Sequence, residues 1–130
     1  MKDDKIYTIL NAKATTGAGL AIYCGDYTHA IISFNTASSA NMTVKFAGSI
    51  ANTAPDFAAA QSVSNPFDYI QVKDLQNGSS IDGDTGVALA GTDDQRMFEM
   101  NINALQYLTA IVTAHAAGSV TVTVRLYNNQ

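Results

Sequence analysis

The feature that most constrains this chain is a strict two-residue alternation near its C-terminus. Val120, Val122, Val124 and Leu126 alternate with Thr121, Thr123, Arg125 and Tyr127. A helix has a 3.6-residue period and cannot gather those apolar positions on one side, whereas a half-buried antiparallel strand does so automatically. The same period recurs upstream. Met42, Val44, Phe46 and Ile50 oppose Thr43, Lys45 and Ser49, and Phe98, Met100 and Ile102 oppose Glu99 and Asn101. Residues 29–35 and 107–115 are rich in β-branched and apolar side chains, and residues 67–73 begin after Pro66, which cannot donate to a sheet ladder. Shorter runs at 6–10, 20–23 and 87–90 complete a set of short strands. These patterns predict an all-β chain, an antiparallel β-sandwich or jelly roll.

Punctuation between the runs sets the expected connections. Ser38 and Ser39 suit a turn between two strands, and residues 116–119, AlaAlaGlySer, suit a closing hairpin. Pro55 followed by Asp56 predicts one short helical turn or an ordered loop near residues 54–62. Residues 1–19 end in a Gly-rich stretch and read as an N-terminal arm or an edge strand. Residues 20–130 read as a single sandwich domain.

Chemistry is thinly represented. The 130 residues contain one cysteine, Cys24, so no disulfide can form within the chain, and its neighbours include no Lys or Arg that would lower its pKa. It reads as a small buried apolar residue. The two histidines, His29 and His115, fall inside strand patterns with no spacing that ties them to Cys24 or to a carboxylate as a catalytic set. Asp82, Asp84 and Asp93 occupy the first, third and twelfth positions of a calcium-loop spacing. The glycine required at the sixth position is Val87, however, and Asp stands where a bidentate Glu is standard, so a solvated turn is the preferred reading. No catalytic residue and no cofactor is expected, and the chain reads as non-enzymatic.

Composition narrows the partners. Charged residues make up 14% of the chain against 47% hydrophobic, with a net charge of −4. Nothing offers the basic stripe that phosphate contacts require, so nucleic acid is not an expected partner. No apolar run approaches the ~20 residues that span a bilayer as a helix, and a membrane is not expected either. The opening MKDDKIYTIL places aspartates where a secretory signal has its basic region, so cytoplasmic synthesis without a signal peptide is expected. Short neutral side chains cover the surface that charge does not, and they cost little entropy to bury against a neighbour. Candidate contact residues are Ile6, Tyr7, Ile9 and Leu10 near the N-terminus, with Tyr107 and Tyr127, aromatic groups able to keep one polar end wet.

The segment PFDYIQVKDLQNGSSIDGDTGVALAGTDDQRMFEMNINALQYLTAIVTAHAAGSVTVTVRLY, residues 66–127, resembles small virion structural proteins of tailed bacteriophages. The resemblance lies in the Asp-Tyr-Ile strand at 68–70, the acidic Gly turn, GlyThrAspAspGlnArg at 91–96, and the PheGluMetAsnIleAsn strand at 98–103. The alternating Val strand and, upstream, MetThrValLysPheAlaGlySerIle at 42–50 complete it. Proteins of that kind are decoration, head-fibre or minor tail components. The resemblance implies a virion location and attachment as a homo-oligomer to the major capsid protein or another virion protein. Capsid decoration is the expected role; a tail component or a carbohydrate- or receptor-binding jelly-roll module is the alternative.

Overall fold

The computed structural model describes residues 4–91 and 95–128. It is all-β and antiparallel, with no helix among the described residues, as the alternation predicts. Among the described residues ten strands form one hydrogen-bonded sheet. In chain order they are β1 Lys5–Lys13, β2 Gly17–Ala18, β3 Ile22–Tyr23, β4 His29–Ser49, β5 Asp68–Tyr69, β6 Val72–Asp74, β7 Ser80–Ile81, β8 Val87–Leu89, β9 Gln95–Asn101 and β10 Tyr107–Tyr127.

Two strands of 21 residues, β4 and β10, organise everything else. They pair antiparallel along their whole length, from Tyr107 opposite Ser49 to Tyr127 opposite His29. Both connections expected there are therefore corrected: Ser38 and Ser39 do not reverse the chain, and residues 116–119 are not a hairpin. At these places the paired strands bend together. Thr113 and Ala116 are extra residues on β10, and opposite Gly118 the β4 strand carries Ser38, Ser39 and Ala40. The irregularities compensate, so the register on the far side of the bend equals that on the near side. Parity is kept as well: Ala30, Ile32, Phe34, Ala40, Met42, Val44 and Phe46 all stay on the buried side.

The bend is sharp enough to double the sheet over. A straight strand rises about 3.3 Å per residue, which would separate Phe34 from Phe46 by about 40 Å. Their rings instead stack with centroids 5.7 Å apart, and Phe34 also meets Phe98 at 5.3 Å. The fold is thus the sandwich form of the expectation, made from one sheet whose halves share their two central strands. In the first half β1 flanks β10 while β9, β6 and β7 extend beyond β4; in the second, β2 and β3 flank β10 while β5 and β8 flank β4. Phe34, Phe46, Phe98, Met100, Leu108 and Leu126 fill the space between the halves.

The outer face of the second half has a cover of its own. Residues 51–67 form an ordered loop without helix, which resolves the alternative left open near 54–62. Phe57 packs down on Ala47 and Ile111, joined by Phe67, Tyr69 and Tyr107. Asn65 braces the loop, its Oδ1 accepting from the Asp56 amide at 2.8 Å and its Nδ2 donating to the carbonyls of Asp56 and Ala60. Ile50, expected on the core side, lies past the end of β4 and is 74% exposed.

Gly118 carries the bend. Its φ is +77°, and a Cβ there would lie 2.5 Å from the Ala40 Cα and 2.6 Å from the Ala37 carbonyl oxygen, both backbone atoms that cannot swing aside. Gly118→Ala is expected to destabilise the fold by at least about 2 kcal/mol, read as a lower urea midpoint with an unchanged slope. An unaltered midpoint would show that the bend does not depend on that close approach.

Candidate interaction surface

Doubling the sheet brings both ends of β4 and both ends of β10 to one side of the molecule, opposite the bend. At this open end the chain is tied by backbone bonds from Cys24 to Gln106, Ile102 to Thr28, and Gln106 to Ser49. Residues 67–73, expected as one strand, are two. β5 pairs with β4 in the second half of the sheet at Ala47 and Gly48, and β6 pairs with β9 in the first half at Phe98 and Glu99. Between them the chain crosses from one layer to the other, held where the Ile70 amide donates to the Phe46 carbonyl at 2.8 Å.

This crossing creates two concave surfaces that share Ile70 and Leu105 as a common ridge. On one side lies an open, mainly apolar groove of about 700 Å³ bounded by Ile50, Val63, Pro66 and Phe67. Val63 sits at the tip of the turn closed by the Ser62 and Asn65 bridge and is fully solvent-exposed. On the other side lies a polar groove of about 730 Å³ lined by His29, Gln71, Lys73, Glu99, Asn101 and Asn103. Both volumes fall within the range of small-ligand sites. The two strands that carry Lys73 and Glu99 are joined by a buried ion pair. Asp74, at the end of β6, binds Arg96 of β9 and also accepts from the Gln76 amide at 2.9 Å, which fixes β6 against β9.

The residues singled out in the sequence are dispersed. Ile9 and Leu10 are both buried in the chain's own core, because a register shift after Thr8 turns two consecutive residues inward. Tyr7 is half-buried against the same core, and Ile6 alone of the four projects outward, 60% exposed beside Arg125. Tyr107 and Tyr127 stand at opposite ends of β10. Tyr107 meets Tyr23 edge-on at 5.7 Å, whereas Tyr127 stacks on His29 at 5.6 Å and donates its hydroxyl to Glu99 at 3.1 Å. Burial, together with that carboxylate, raises the Tyr127 pKa. Asp82 and Asp84 are exposed on a turn closed by the Gly86 amide and the Asp82 carbonyl. Asp93 lies outside the described residues. Among the described residues no three acidic, His or Cys side chains gather as metal ligands. The two histidines are far apart in role: His115 bonds the Gly118 carbonyl at the bend, and His29 bonds the Thr28 hydroxyl at the open end.

No family model and no curated protein matches this sequence. Solved structures do match its fold. The SPBc2 prophage-derived protein YomS superposes with a TM-score of 0.71 at 12% identity, over 95% of this chain and 92% of that one. The PBSX exported protein XepA superposes with a TM-score of 0.64 at 13% identity, over 97% of this chain, which spans 39% of XepA. At such identities the likeness is one of fold. It covers the doubled sheet from end to end, so the architecture recurs in proteins of prophage origin.

Sequence reasoning missed both grooves. Their walls come from residues 29, 50, 63, 71, 99 and 103, which no local pattern associates; only the layer-to-layer crossing at Ile70 does.

Cys24 is settled by burial. It is fully enclosed, its thiol faces the Leu105 carbonyl at 3.7 Å, and removal from water pushes its pKa from 9.0 up to about 12. The unfolded thiol therefore loses its proton first as pH rises. Stability linked to Cys24 is complete below pH about 9 and is lost toward pH about 12, by up to about 1.4 kcal/mol per pH unit. Urea titrations between pH 8 and pH 11 are expected to show a steeper loss for the native chain than for Cys24→Ala. Parallel pH profiles would contradict the enclosed thiol.

Proposed function

We propose that this chain is a non-enzymatic structural protein of a bacteriophage particle, fixed to the capsid exterior by protein–protein contact and accompanied by further copies of itself. The observation that carries this reading is the fold shared with a prophage-derived protein along 95% of the chain. The surface supports it. Charged residues are scarce, and the apolar groove with Ile50 and Val63 projecting beside it gives a partner protein exposed apolar side chains to enclose. The cage that Asn65 builds around residues 56–60 fixes this loop before binding, which lowers the ordering cost of association.

The experiment is co-sedimentation of the purified chain with separated heads and tails of a phage that encodes it. Binding to heads is expected, with loss of at least about tenfold in affinity on Val63→Lys or Ile50→Lys, substitutions at solvent-exposed positions that leave the thermal midpoint unchanged. Binding to tails alone would overturn the capsid placement. Binding to neither would overturn the structural role in the particle.

A further inference from the structure

The polar groove on the other side of the Ile70 and Leu105 ridge is chemically unlike the apolar one. Its two opposite charges face each other across neighbouring strands, Lys73 of β6 directly opposite Glu99 of β9, so the groove as a whole carries little net charge. A phosphate would meet Glu99, and a metal ion would meet Lys73. Neutral, hydrogen-bonding chemistry remains. Gln71, Asn101 and Asn103 supply three carboxamides, each a donor and an acceptor, the pattern that complements hydroxyl groups.

These groups are available as well as present. The side chains of Gln71, Lys73 and Asn103 make no hydrogen bond or ion pair within the chain among the described residues, and all three are exposed. The elements that carry them are nevertheless held. Asn101 accepts from the Asn103 amide at 3.0 Å and so shapes the turn leading to β10. His29 is fixed by the Thr28 hydroxyl at 2.9 Å and by its stack on Tyr127, which is anchored in turn to Glu99. Beneath them Val72 is buried and gives the groove an apolar floor, while Ile70 and Leu105 add apolar surface along the ridge. A concave site with an apolar floor, a fixed imidazole ring and two unpaired carboxamides, Gln71 and Asn103, at its rim matches a molecule with one C–H face and a hydroxyl edge.

We propose that this groove binds a neutral saccharide. The site lies across the shared Ile70 and Leu105 ridge from the attachment surface, and its occupancy does not depend on the chain being part of a particle.

The test uses the full chain against a panel of neutral hexoses, N-acetylhexosamines and their short oligosaccharides, with uronic and sialic acids alongside, followed by calorimetry of the sugars that bind. At least one neutral sugar is expected to bind. Gln71→Ala and Asn103→Ala are each expected to weaken it about fivefold without moving the thermal midpoint, the usual cost of one hydrogen bond. Val63→Lys, which disrupts only the apolar groove, is expected to leave sugar affinity unchanged, so failure of the attachment reading and failure of this one are distinguishable. Absence of binding by every neutral sugar at about 10 mM would overturn the proposal. So would binding confined to the acidic sugars, or affinity indifferent to both alanine substitutions.

Discussion

Everything in this molecule depends on the paired bend in β4 and β10. A two-stranded ribbon of 21 residues each could run straight for most of the length of a much larger protein. It does not, because extra residues on both strands force a local change of direction while cancelling in register. Had only one strand carried them, the pairing past the bend would have slipped by two residues, and Val120, Val122, Val124 and Leu126 would have lost their present partners on β4. Compensation keeps one apolar face continuous through the fold, and that face, closed on itself, is the core.

The open end follows from the bend. Because the layers are halves of one sheet, the strand edges at the far side need a segment that passes between them, and residues 68–74 serve. The crossing is secured at one end by Ile70 on Phe46 and at the other by Asp74 on Arg96. A buried ion pair of this kind adds little net stability compared with apolar packing, but it fixes geometry, and here it fixes β6 against β9. The chemistry at this end is therefore set by a connection rather than by any single strand.

Much of the fold is legible in the sequence, for a physical reason. Period-two burial is local, and Phe98, Met100 and Ile102, or Val120 to Leu126, announce their facing without reference to anything distant. What sequence does not reveal is whether small and polar residues at a break reverse the chain or only bend it. Ser38, Ser39 and Gly118 adopt positive φ in either case, and the outcome depends on the partner strand. The same non-locality hid the surfaces. Ile9 and Leu10 look like an alternating pair with one outward member until the bulge in β1 buries both, and His29, Gln71 and Asn103 have no sequence relation at all. The charge-poor composition, by contrast, carries no positional information at all.

A sheet whose layers share their central strands also constrains how the chain is made. β1, β2, β3 and β4 all pair with β10, and the first of these ladders joins Lys5 to Leu126. Most contacts thus link residues far apart in sequence, the condition under which folding is slow. During synthesis neither layer can close until residues 107–127 have left the ribosome. Until then the earlier strands remain unsatisfied and exposed edges, so the vulnerable period of this fold is the interval between the synthesis of β4 and that of β10.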